Sequence, residues 1–422
     1  MKRTFTVLLL VPAALLGPAA LVAQAGEQRA DSLEAEVRRL QARMDSLEQV
    51  VRRLLQEGRD TTAAVDELAA LRAAARAAAQ AADTAGGGRT EETPAVGQGR
   101  RNLNRLNPEI SLTGDVRLQS DPDVPTQENA VFREVEFSFQ SALDPYASTK
   151  IFLTYEDGEL DLEEGYLYWA GLPGHLRVDL GRLRQQVGEL NRWHLHALPE
   201  SEYPLVYRTY FGEEGLAGTG VRVFWLVPTG GVFGVQELTL EGVVGNNEVL
   251  FGSGNRPAGL VHLNNFFELS PSTFLQVGGT ASYGENPDSD LETVLLGADF
   301  RFTWRPPAQA QYRSFTLRGE GYRLDQQSAG VGDAVYGGFV GAALQLSRRW
   351  FVGARADYVE PVGGGTATWA VSPHVTWWQS EWAFFRAEWQ HEQVPIGATR
   401  EGQNRLLLQV VWSVGPHKHE TY

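Results

Sequence analysis

The stretch Ala298-Asp299-Phe300-Arg301-Phe302-Thr303-Trp304-Arg305-Pro306-Pro307 alternates apolar and polar side chains residue by residue and then stops at two prolines. Successive side chains of a β-strand point to opposite faces, so Ala298, Phe300, Phe302 and Trp304 share one face while Asp299, Arg301 and Thr303 share the other. Proline cannot donate to a sheet ladder, which ends the strand at Arg305. The same two-faced pattern sets Val135, Phe137 and Phe139 against Glu134, Glu136 and Ser138, and Val352, Ala354, Ala356 and Tyr358 against Arg355 and Asp357. It also sets Leu406, Leu408, Val410 and Trp412 against Gln409 and Ser413.

Counting such segments from Pro108 onward predicts sixteen strands, an even number as a bacterial barrel requires. Leu143-Asp144-Pro145, Gly171-Leu172-Pro173-Gly174, Pro228-Thr229-Gly230, Ser270-Pro271, Arg305-Pro306-Pro307, Ser347-Arg348-Arg349 and Gln379-Ser380-Glu381 read as tight turns that alternate with longer connections. Transmembrane barrels have this asymmetry, because their periplasmic turns are short and their extracellular loops long. Tryptophan agrees. Trp169, Trp225, Trp304, Trp378 and Trp412 close even-numbered strands, and Trp350 and Trp382 open odd-numbered ones, so all seven fall at one rim, where indole rings favour the membrane interface. The expected fold is an all-β transmembrane barrel of about sixteen antiparallel strands, preceded by a short α-helical coiled coil.

The region ahead of the barrel divides into three. Lys2 and Arg3, the apolar run Thr6–Leu16 and the small-x-small triplet Ala23-Gln24-Ala25 read as a signal peptide over 1–25. Over 31–56, Leu33, Val37, Leu40, Met44, Leu47, Val51 and Leu54 follow a 4-3-4-3 spacing, the seam of a coiled coil. An Ala- and Gly-rich linker is expected over 57–104, and the barrel over 105–422.

Composition narrows the chemistry. The chain has no cysteine, hence no disulfide, no thiolate metal site and no lipid-accepting thiol. Beyond the signal no apolar run reaches the length of a membrane helix, which excludes a helical bundle in a bilayer but not a barrel. From Arg105 onward 23 basic side chains face 39 acidic ones, so nucleic acid is excluded as a partner. There is no Gly-x-Ser-x-Gly elbow, His-Glu-x-x-His pair or Walker loop, and no catalytic residue or cofactor is expected.

The longest connection, from Arg184 to Leu216, mixes Arg184, Glu189, Arg192, His194, His196, Glu200, Glu202, Arg208, Glu213 and Glu214 with Trp193, Tyr203 and Tyr207. So long a loop with so many aromatics is expected to be functional. Two readings stand: a constriction folded into the lumen, and an extracellular loop packed over the rim. Within the lumen, alternation turns inward Arg177, Asp179, Arg222, Glu237, Glu241, Asp299, Arg301, Arg318, Glu320, Arg355, Asp357, Arg386 and Glu388, the candidate pore lining. His194-Leu195-His196 and His417-Lys418-His419 place histidines two apart, but spacing supplies no third ligand; solvated side chains and no metal are expected.

Gly181-Arg182-Leu183-Arg184-Gln185-Gln186-Val187-Gly188-Glu189, which ends the fifth strand, resembles the glycine, basic, apolar, basic, then glycine-and-acid segment of the phosphate-selective porin O and P family of sixteen-stranded porins. Glutamine replaces the proline usual in that segment, and only Lys150 and Lys418 stand where named members have a lysine-rich lumen. The resemblance implies the barrel fold, an outer-membrane location among outer-membrane lipid, self-association as a trimer, and passive diffusion of small polar solutes, whereas Val at a with Leu at d in the seam favours a dimer. It does not carry anion selectivity with it. The alternatives are a structural envelope tether, with the coiled coil in the periplasm, and a membrane-embedded barrel enzyme. The acidic excess points to weak cation preference or near neutrality, with Glu189, Glu200, Glu202, Glu213 and Glu214 contributing if the loop folds inward.

Overall fold

The structure, a computed structural model, describes residues 108–415 apart from 121–128, 157, 229–233, 248, 287–290, 328–333 and 398. The expected signal peptide, coiled coil and linker, and the His417-Lys418-His419 tail, lie outside the described residues.

The described chain forms sixteen strands: β1 (Glu109–Ser120), β2 (Ala130–Ala142), β3 (Ala147–Glu156), β4 (Glu159–Leu172), β5 (Leu176–Arg184), β6 (Ala217–Val227), β7 (Val235–Asn247), β8 (Gly252–Ser270), β9 (Thr273–Glu285), β10 (Glu292–Trp304), β11 (Phe315–Gln326), β12 (Val335–Gln345), β13 (Trp350–Val359), β14 (Thr368–Trp378), β15 (Ala383–Ile396) and β16 (Thr399–Val414). Each pairs antiparallel with its neighbours in sequence, and β1 pairs with β16 to close the barrel. Closure leaves no strand edge, the condition for β-structure in hydrocarbon. The closing register, Leu112 opposite Val414, brings both ends of the barrel to one rim, as an even strand count demands.

Period-two patterning decides which face each residue takes. Glu134, Glu136 and Ser138 are buried in the interior while Phe137 between them is exposed outside. Likewise Arg355 and Asp357 are buried while Tyr358 is exposed. Trp225, Trp350 and Trp382 are exposed near the rim that holds the chain ends. There the Trp412 ring occupies the space left by Gly114, where any Cβ would collide with it.

Loop lengths follow the expected asymmetry imperfectly. Glu156 pairs with Glu159 and Ile396 with Thr399, so β3–β4 and β15–β16 are joined closely at the rim expected to carry long loops; Gly158 adopts φ +90° in the first. Conversely, Arg305-Pro306-Pro307 is not a tight turn. Pro307–Gln309 forms a 3₁₀ turn and β11 begins only at Phe315. A rigid proline φ suits the first residues of such a turn, and that extends the connection.

Val340 sits midway along β12 and is 49% exposed on the outer face. Val340→Arg is expected to cost about 2–4 kcal/mol of stability in a bilayer, while Thr303→Arg, on the inward face of β10, costs far less. Urea titration of the two variants in lipid vesicles measures the difference; equal midpoints would mean that the two faces are exchanged.

Candidate functional site: a loop packed inside the barrel

Residues 185–216 leave β5, fold back into the barrel and return to β6. The neck is closed by Gln185 N–H donating to Leu216 O at 2.9 Å, while the Asn191 side chain donates to Gln185 O and Leu216 O and accepts from Leu216 N–H. Inside, the loop contains two 3₁₀ turns, Leu190–Arg192 and Leu195–Ala197, and one short helix, α1 (Leu205–Tyr210). Of the two readings open from the sequence, the loop takes the first and lies within the lumen.

Two kinds of contact hold it there. Leu205, Val206, Tyr207, Tyr210 and Phe211 pack on inward apolar residues of β8 and β10–β13, including Leu260, Leu295, Tyr322, Val335, Phe339 and Val359. This sector of the inner wall is apolar, unlike the uniformly wet lumen that alternation alone suggests. It exists because a folded loop must bury its own apolar residues against something.

Elsewhere charge does the holding. The Glu320 carboxylate accepts the backbone N–H groups of Glu189 and Leu190 at 2.9 and 3.0 Å and the hydroxyls of Tyr207 and Tyr322, both at 2.6 Å. Arg301 pairs with Glu189 at 2.5 Å and Arg355 with Glu200 at 3.3 Å, and Arg386 donates to Leu198 O at 3.0 Å. Glu388 accepts from Ser201 N–H and Asp357 from Leu205 N–H. Arg184, fully buried, reaches Glu163 on β4 and donates to Tyr203 Oη at 2.7 Å.

Glu202 has three guanidinium partners: Arg117 and Arg405 on the wall at 2.6 Å and Arg208 of α1 at 3.7 Å. Burial pushes its carboxyl up, but Arg405, Arg208 and Arg117 together bring it down to about 2. Glu200 is also lowered: burial opposes its ionisation and Arg355 and Arg318 prevail.

His194 and His196 are buried, not solvated as expected. His194 Nδ1 lies 2.5 Å from Glu136 and 2.8 Å from Glu163, with Nε2 3.4 Å from Glu164; His196 Nδ1 lies 2.7 Å from Glu134. Two β-bulges create this cluster. In β2 the register skips Arg133 between Glu134 and Phe132, and in β4 it skips Glu163 between Glu164 and Leu162, so Arg133-Glu134 and Glu163-Glu164 each turn two consecutive side chains inward. The sequence reading missed Glu163 and Glu164. A pair of adjacent charges that breaks an otherwise alternating strand is the signal that could have found them.

The remaining candidates sit as follows. Asp179, Arg222, Asp299, Arg318, Glu320, Arg386 and Glu388 face inward but are buried, whereas Arg177, Arg301 and Glu237 are half-buried. Asp179, Arg222 and Glu241 form a ladder across three adjacent strands, with Arg222 2.8 Å from Asp179 and 3.7 Å from Glu241. Arg192 donates to Gln186 at 2.9 Å within the loop, and Arg318 stacks over Trp193. Glu213 and Glu214 are exposed. Glu214 lines two cavities of about 310 and 210 Å³ with Asp161 and Glu163; Glu134, Glu156 and Glu159 border the larger and Arg182 and Arg184 the smaller.

A closed antiparallel barrel of sixteen strands with a loop packed in its lumen is the architecture of outer-membrane porins. Solved structures agree at the level of the fold. OprB of Pseudomonas putida superposes with a TM-score of 0.54 at 12% identity, covering 74% of this chain and 95% of its own. The anion-selective porin of Comamonas acidovorans gives 0.51 at 10% identity, covering 73% and 100%. The outer-membrane channel DcaP of Acinetobacter baumannii gives 0.50 at 9%, covering 73% and 96%. No protein-family model matches the chain. An Aquifex aeolicus protein described as uncharacterized is 34% identical over 118 residues, 28% of this chain; the chain spans about a quarter of that relative's length.

Because Glu202 is held down by its arginines, it stabilises the docked loop fully above its unfolded value near 4.5 and loses that contribution as pH falls through about 2. Glu202→Gln is expected to cost on the order of 3 kcal/mol of loop stability at pH 7. Hydrogen exchange of the 198–208 amides should be about 100-fold faster in the variant at pH 7 and indistinguishable from wild type once rates measured near pH 2 are corrected for intrinsic exchange. Equal exchange at pH 7 would show that the apolar face alone holds the loop.

Proposed function

We propose that the protein is an outer-membrane porin through which small polar or charged solutes diffuse passively, with residues 185–216 as its constriction and the rim that carries the chain ends facing the periplasm. The observation that carries this reading is the internal loop itself: a segment tied to the inner wall by ion pairs narrows a barrel without needing any moving part or cofactor. Pore formation needs only a wetted path beside that loop, and the half-buried Arg177, Arg301, Arg117, Arg405 and Arg208 are its polar lining. The names of the structural neighbours support the same location and role. Self-association, as porins commonly show, belongs to the same reading, as does a periplasmic position for the segment ahead of the barrel.

Selectivity follows the charges that remain unneutralised rather than the total. Glu189, Glu200 and Glu202 are each paired with arginine and contribute little free field. The acids left to act on solutes are those at the mouth opposite the chain ends, Glu159, Asp161 and Glu214 among them. Opposing them deeper in is an arginine-rich path, so the expected permeability is near neutral with slight cation preference in dilute salt.

Purified protein in a planar bilayer should give stepwise ohmic conductance; a folded barrel that never conducts would sink the proposal. Replacing Glu159, Asp161 and Glu214 by their amides should move the reversal potential toward anions at low salt and leave it unmoved at 1 M, where the screening length is about 3 Å. An equal shift at both ionic strengths would place the selectivity elsewhere.

A further inference from the structure

Where the loop crosses β2 and β4, four carboxylates and two imidazoles are crowded into the wall. Glu134, Glu136, Glu163 and Glu164 are all buried, Glu136 to 1% exposure, and so are His194 and His196. Arg184 serves Glu163, and Arg133 is engaged with Asp115 and Ser201 O.

The proton count at His194 does not close. Nδ1 carries at most one hydrogen, yet Glu163 Oε2 lies 2.8 Å from it and Glu136 Oε2 lies 2.5 Å from it. Glu163 is hydrogen-bonded to that nitrogen, and it also accepts from Thr154 at 3.0 Å. Neither oxygen of Glu136 meets hydrogen-bond geometry with any donor, although both are shut off from water. At such a depth Glu136 is met by two imidazoles, His194 Nδ1 at 2.5 Å and His196 Nε2 at 4.0 Å, and the one proton that His194 Nδ1 can carry cannot serve it and Glu163 together.

We propose that His194 Nδ1, Glu136 and Glu163 bind a divalent transition-metal ion of the zinc class. Their ligand atoms lie within 4.8 Å of one another, a span one ion can bridge at ligand distances of about 2 Å. An imidazole nitrogen with two carboxylates suits zinc and its neighbours rather than calcium or magnesium, which prefer all-oxygen sets. Glu164, beside Nε2, supplies the outer carboxylate that orients a ligating imidazole. The ion has a route in: the 310 Å³ acidic cavity opens beside Glu163, itself one of its walls, and Glu134, Glu156, Glu159, Asp161 and Glu214, which also line it, concentrate cations there. Bound there, the metal ties the loop to β2 and β4 and makes the lumen's shape responsive to metal supply.

The test uses the full barrel in detergent, stripped with chelator, and does not depend on conduction. Equilibrium dialysis against Zn²⁺ near pH 7.5 should find one ion per chain, and Co²⁺ should give a visible d–d band. His194→Asn and Glu136→Gln should each weaken binding at least 100-fold and abolish the band, while heat-modifiable gel migration confirms that both variants fold. The double variant His417→Ala, His419→Ala should keep the full stoichiometry. Wild-type protein that takes up no zinc and shows no cobalt band overturns the proposal, as does zinc that stays bound at full strength to either site variant or is lost with the tail histidines.

Discussion

A charge withdrawn from water persists only if another charge or dipole answers it, and the interior of this barrel is organised around that requirement. Folding residues 185–216 into the lumen covers Asp179, Arg222, Arg355, Asp357, Arg386 and Glu388, none of which could stay ionised there alone. Each is answered. Arg355 illustrates the pattern: its guanidinium meets Asp357 on its own strand, Glu200 of the loop and the backbone carbonyls of Glu202 and Tyr203. Removing one partner of such a set leaves the other buried and unpaired, at a cost of about 3–5 kcal/mol. The loop is therefore specified by the wall, and the wall's charges by the loop.

The division of labour within the loop follows from the barrel's circumference. One side of the wall, β8 and β10–β13, offers apolar inward residues alongside Arg301, Glu320, Arg355 and Asp357, and α1 docks there through Val206, Tyr207 and Tyr210. The other side, β1, β2, β4, β15 and β16, offers Arg117, Arg133, Arg405, Glu388 and the glutamates around His194. Hydrophobic burial supplies energy without direction, whereas charge-assisted hydrogen bonds supply direction at modest net energy. Together they place the segment in one register. The stacked pair Tyr203–Tyr207, ring centres 5.3 Å apart and nearly parallel, joins the two regimes, since Tyr203 reaches Arg184 and Tyr207 reaches Glu320.

How much of this could be read from the amino acids depends on range. Strand number, inward and outward faces and the closing of the ends at one rim follow from period-two alternation, which is local, and the sixteen strands fall where alternation places them. Even so, Gly158 allows a tight hairpin at a rim where a long loop was expected, because one positive φ outweighs a statistical asymmetry in loop length. The pairing of the loop was not legible. Glu320 and Glu189 are separated by about a third of the chain, and no periodicity connects them. Spacing alone leaves the histidines solvated for the same reason. Their partners lie on β2 and β4, and the inward turn of Glu163 depends on a bulge that alternation alone places on the wrong face.

Net charge is a poor guide to what such an interior presents to a solute. The barrel region is strongly acidic, but a carboxylate bound to two or three guanidiniums acts at a distance as a cation-bearing cluster, as around Glu202, where three arginines meet it and, among the described residues, share only Glu392 besides. Conversely, around His194 four glutamates meet one committed arginine, and the local excess is negative. The two regions lie on the same loop, a few residues apart in sequence. On the porin reading proposed above, a field of alternating sign along the loop would offer cations and anions stabilising contacts in turn, and a few exposed acids at the mouth would tip the balance. The fold therefore separates the charge of the whole chain from that of its narrow part, and on the same reading only the second would govern what crosses.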